Sequence, residues 1–168
     1  MIEALKNQCA HSIRLVQRAD PQYPSNCFQY TFGVDLKIVH ETASLLDRLF
    51  VSGAFVEEWI IPELQEVALN SVSSGYIIIY FNDELPTHSG TFQHGRIISK
   101  WGQGHIFEHA IEEVPINYGL TFRYYAKISP IAATRNFIRF VQQDPDYGAI
   151  QELFQETVQE WKVRTNKS

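Results

Sequence analysis

Hydrophobic positions in this chain follow a helical period at both ends and a strand period in the middle. Residues 3–18 place Ala4, Ile13, Leu15 and Val16 at roughly helical spacing and stop ahead of Asp20-Pro21, which predicts a first helix. In QYPSNCFQYTFGVD, Pro24 forbids helix before Ser25, the pair Ser25-Asn26 offers a side-chain cap, and Gly33 is a natural stop. A short helix is expected there, with Cys27 in its first turn. Asp35 then caps a further helix whose apolar face is Leu36, Val39, Ala43, Leu46 and Phe50, closed by Ser52-Gly53. The segment FVEEWIIPELQEVALN is read as helix from about Pro62.

From Gly75 the period shortens. YIIIYF is a continuous apolar run rich in β-branched and aromatic residues, as expected of a strand buried on both faces. HSGTF, RIISKW, HIFEH and TFRYYAKI follow, and together they predict a mostly antiparallel sheet of four or five strands. The tail returns to helix, with Phe137, Ile138 and Val141 on one stretch and Ile150, Phe154, Val158 and Trp161 on the next. No repeat, low-complexity tract or linker interrupts the pattern, so one α+β domain over residues 1–168 is expected.

Composition narrows the function classes. The 168 residues, 45% apolar and 13% aromatic, suffice for one sizeable core. The net charge is −5 and the basic residues are scattered, which argues against nucleic acid as the partner. The first residues carry no apolar run of the secretory kind, and no window approaches the ~18 apolar residues that span a membrane. A cytoplasmic protein without a membrane partner is therefore expected, unless another system delivers it.

The candidate chemistry lies in one thiol and one cluster of histidines. Cys9 and Cys27 have no C-x-x-C pairing, so each is weighed as a single thiol. Cys27 is the more informative, because unpaired amides at a helix N-terminus favour a thiolate and also suit an oxyanion. A cysteine nucleophile needs a base. Four of the six histidines fall between Thr87 and His109, and His88 opens a strand followed by the small residues Ser89 and Gly90.

Hairpin register then limits what orients His88. If His94-Gly95 is a two-residue turn, Gln93 pairs with Arg96, Phe92 faces Ile97, Gly90 faces Ser99 and His88 faces Trp101. Ser99 would then lie diagonal to His88 on the same face. A three-residue loop would bring Lys100 opposite His88 instead. His105 and His109 sit about 13 Å apart on a strand, and neither H-E-x-x-H nor Cys-rich spacing supports a zinc site with His88, so no metal is expected. Glu108 and His109 are read as polar residues at a strand end. The pairs Glu57-Glu58 and Glu112-Glu113 read as solvated charge, and no glycine spacing supports nucleotide binding.

Three pieces, SNCFQYTFG, SGYIIIYF and HSGTFQHGRIISKWG, give the chain order of papain-like cysteine hydrolases and most resemble the NlpC-like and CHAP-like amidases. The last piece is similar to a group of bacterial NlpC-like proteins that pair N-C-x-x-x-x-F with H-S-G, S-K-W-G and a later histidine, here His109. The resemblance covers residues from about 20 to 126; the helical tail, about 131–165, has no counterpart in the minimal fold. It implies a papain-like sheet with a nucleophile helix packed on it, flanked here by extra N- and C-terminal helices. It also implies cofactor-free acyl transfer on an amide bond, of the peptidoglycan or protein-amide kind. The implied roles are Cys27 as nucleophile, His88 as base and Ser99 as third residue, with Lys100 and His109 as alternatives for the third. The Cys27 amide and Asn26 are expected to hold the oxyanion. The chain departs from the family at Phe28, where a small residue usually follows the nucleophile. The competing expectation is a non-catalytic papain-like domain that binds a peptide or protein partner.

Overall fold

The YIIIYF run forms the middle of a sheet. In the computed structural model, which describes residues 11–20, 25–36, 50–119 and 121–166, strand β3 (Ile77–Asn82) is buried at every position but its last. Leu85–Gln93 (β4), Arg96–Lys100 (β5) and Ile106–His109 (β6) follow as consecutive antiparallel neighbours, and Thr121–Tyr125 (β7) pairs with the other edge of β3. Two short edge strands, β1 (Arg14–Gln17) and β2 (Glu66–Val67), extend this to seven strands among the described residues, in the order β1-β6-β5-β4-β3-β7-β2. The hairpin between β4 and β5 has the two-residue turn read from the sequence: His94 and Gly95 take φ of 49° and 84°, and Gln93 pairs with Arg96.

One face of the sheet carries the main core. Ile77, Ile79 and Phe81 of β3 and Tyr125 of β7 pack against four helical elements. These are α1 (Cys27–Phe32), a segment beginning at α2 (Gly53–Phe55), α3 (Pro130–Gln142) and α4 (Gln151–Thr165). Phe55 packs edge-on to Phe137 at 5.2 Å between ring centroids. Ile150, Phe154, Val158 and Trp161 are buried, as their spacing predicted. On the opposite face Ile78, Tyr80, Ile97 and Tyr124 form a second, smaller cluster.

Two expectations change, and a third lies mostly outside the described residues. The predicted helix over residues 3–18 is a strand where it is described. Arg14 and Leu15 pair with Glu108 and Phe107 at the open edge of β6, and Leu15 and Val16 stay half exposed, so their helical spacing was coincidental. The helix expected from Pro62 instead begins at Gly53, where the Ser52 hydroxyl accepts from the Phe55 amide at 3.3 Å. It continues through a π turn (Val56–Ile60) and a 3-10 turn (Ile61–Glu63), and Pro62, which has no N–H to donate, falls in its last turn. The helix expected after Asp35 lies mostly outside the described residues.

Candidate functional site

Cys27 sits where the sequence places it, at the first position of α1. The Asn26 side chain caps the helix, accepting from the Gln29 amide at 2.9 Å, and Gly33 closes it in the left-handed conformation at φ 64°. The Asn26 side-chain nitrogen donates to the Val51 carbonyl at 2.8 Å, which leaves one N–H of that group for an oxyanion. The thiol is 6% exposed, and burial pushes it up to about 11. Amide hydrogen bonds from Ser89, Phe28 and Cys27 itself pull in the other direction.

Cys27 meets β4 at Ser89, the residue after His88. The ladder between β4 and β5 runs from Gln93 and Arg96 to Thr91 and Ile98, short of this point. Ser89 pairs with Ile79 and so shares the face of the main core, whereas His88 pairs with Tyr80 and shares the opposite face. The His88 ring is fully buried and stacks flat on Tyr118, with centroids 4.1 Å apart and an interplanar angle of 9°. Neither of its nitrogens has a hydrogen-bond partner among the described residues. Burial, with a smaller contribution from His109, lowers His88 to about 3, so the ring is neutral at physiological pH.

Ser99 has a different partner from the one expected. Its hydroxyl lies 2.8 Å from His109 Nε2 and accepts from Trp101 Nε1 at 3.1 Å. His109 Nδ1 lies 2.7 Å from the Ala110 carbonyl, which only accepts, so Nδ1 carries a proton; burial lowers the basicity of the ring, and in its neutral form Nε2 receives the Ser99 hydroxyl proton. With the ring neutral, the chain Trp101, Ser99, His109, Ala110 is fully satisfied. Replacing Ser99 with Ala should leave Trp101 and His109 each short of a partner and cost about 2–3 kcal/mol, measured by urea denaturation. Lys100 is on the other face from Ser99 in this register, and its ammonium donates to the Gly104 carbonyl at 2.9 Å.

Sequence reasoning underweighted His109 and missed Tyr118. His109 does end a strand but is 0% exposed, and His105 is separate, its Nδ1 accepting from the Ala19 amide at 2.8 Å. No three His, Cys, Asp or Glu side chains are grouped to hold a metal among the described residues. Tyr118 ends a 3-10 turn (Ile116–Tyr118), where the Thr87 hydroxyl donates to its carbonyl at 2.5 Å. Its phenol accepts from the Gly102 amide and lies close enough to Cys27 to feel a thiolate there. The one available signal was N-Y-G ahead of a strand, a glycine where the chain must turn. Glu113 is also misread as solvated: it accepts from the Ser12 amide and hydroxyl at 2.6 Å each and from the Ala110 amide at 2.8 Å. Burial pushes its carboxyl up, but those bonds and Arg96 outweigh this and hold it below the usual range.

These features define an α+β protein with an antiparallel sheet that buries a neutral thiol and a neutral imidazole beside one tyrosine. Compared with family profiles, curated proteins and solved structures, the chain has no significant match. Among the described residues no helix is long and apolar enough to cross a membrane.

Proposed function

We propose that this chain is a papain-like thiol hydrolase of the NlpC type, with Cys27 as nucleophile and His88 as base, acting on an amide bond of a peptide or peptidoglycan-like substrate. The observation that carries the reading is His88. A buried imidazole with both nitrogens unpartnered loses hydrogen bonds to water that nothing replaces, and such orphans concentrate at working sites. It lies one residue from the amide that faces a helix-borne thiol.

The two pKa values exclude a standing thiolate–imidazolium pair in this arrangement. Attack therefore couples to proton transfer: His88 takes the Cys27 proton as sulfur bonds to the carbonyl carbon. It returns that proton to the amine as the C–N bond breaks, and water then hydrolyses the thioester. No hydrogen bond joins Cys27 to His88, and the two side chains approach β4 from opposite faces, so the pair forms only when the ring and the strand that carries it shift toward the thiol. Ser99 acts at one remove, holding His109 beside His88. The backbone amides around Cys27 are the oxyanion donors in this reading, with the second N–H of Asn26 beside them.

The 6% exposed thiol, pushed up to about 11, favours a second reading, a papain-like domain that binds a peptide or protein partner without chemistry. Iodoacetamide labelling of Cys27 separates the two. The hydrolase reading expects labelling at pH 7 that falls about a hundredfold in His88→Ala, the usual contribution of a general base. Labelling that follows a single ionisation near 11 and is unchanged in His88→Ala overturns it.

A further inference from the structure

We infer that Tyr118 is a latch that keeps the Cys27–His88 site closed, and that the turn carrying it opens as a unit to admit substrate and free the His88 ring. This deepens the hydrolase reading and rests on it for the identity of the site, though not for the closure itself.

Closure is seen in three places. His88 is 0% and Cys27 6% exposed, so no carbonyl reaches the thiol in this arrangement. The Tyr118 ring covers one face of the imidazole, and its phenol sits near Gly102 at the end of the β5 turn and near Cys27. A stacked ring cannot rotate without the stack separating, so the latch also holds His88 away from the thiol.

The turn is held by few contacts. Ile116 is 81% exposed, and its neighbours Val114 and Gly119 wall one side of a cavity of about 310 Å³, whose other side is Tyr80 and Phe122 of the sheet. Among the described residues, the hydrogen bond that ties the turn to the sheet is the one from the Thr87 hydroxyl to the Tyr118 carbonyl, while Val114 packs on the second cluster and Gly119 on Phe81. Segments with so little buried contact open at low cost while the rest of the fold stays intact. Gly119, packed on the Phe81 carbonyl at φ 100°, fixes the base of the turn.

Cys27 labelling by iodoacetamide in the full chain tests the latch. Tyr118→Ala should label at least about tenfold faster than the wild-type protein at pH 7, because the competent fraction rises. An unchanged or slower rate overturns the latch. The His88→Ala background separates the two claims: labelling about tenfold faster in the double variant Tyr118→Ala with His88→Ala than in His88→Ala alone supports the latch and an equal rate overturns it, whereas the slowing that His88→Ala causes in the Tyr118→Ala protein, about a hundredfold or none, decides His88 as base. Should Tyr118→Ala not fold, the wild-type protein carries the test. Its labelling rate at low urea should be nearly independent of urea, as for a local opening, and a dependence as steep as that of global unfolding overturns the latch.

Discussion

Wild-type stability should fall by about 2.5 kcal/mol more than that of a His88→Phe variant between pH 7 and pH 4.5. His88 has a folded value of about 3 against the ordinary 6.5, so the unfolded chain binds its proton more readily than the folded one. The stability held by keeping the ring neutral is complete above about pH 6.5. It is lost as pH falls through that value, at roughly 1.4 kcal/mol per unit, and levels off only near pH 3. Phenylalanine keeps an aromatic face for Tyr118 and removes the titration. His109 shifts in the same direction, so some acid sensitivity remains in the variant. Urea denaturation at half-unit steps of pH checks this, and parallel curves for the two proteins would mean that His88 is not buried neutral.

Gly119→Ala should cost about 3–5 kcal/mol, a large share of the stability of a domain this size. Gly119 takes φ 100° and ψ 157°, a region that only glycine enters freely, and a Cβ there would collide with the Phe81 carbonyl. Gly75 makes the control, since its φ is 96° but nothing lies within 4 Å of an added Cβ. Gly75→Ala should cost about 1–2 kcal/mol from strain alone. Thermal melts of both variants check the comparison, and equal shifts would mean that the close approach to β3 contributes nothing.

Legibility followed the range of the interactions. The hairpin register could be read because a two-residue His-Gly turn fixes the pairs next to it, as far as Thr91 and Ile98, and α1 could be read because its cap and its stop lie within eight residues. Strand β1 could not, since what makes Arg14–Gln17 a strand is the open edge of β6, some ninety residues away. That Asn26 also reaches Val51 depends on a segment twenty-five residues further on, which its own neighbours do not specify. Ser99 shows the limit most clearly: strand parity placed it on the His88 face, but which of two histidines receives its hydroxyl depends on β6 as well as β4. Tyr118 reaches His88 through a turn with no period of its own.

The order of strands has a consequence for how the molecule is assembled. β3, β4, β5 and β6 are adjacent both in sequence and in space, so each can pair as soon as it is made, closing only short loops. α1 and β1 precede all of them in the chain yet contact β4, β5 and β6, so they wait for partners not yet synthesised. The imidazole and its tyrosine thus belong to a part of the chain that organises itself locally. The thiol arrives from outside that part, and until it docks, Cys27 has neither burial nor the Ser89 amide, and its sulfur titrates as an ordinary cysteine.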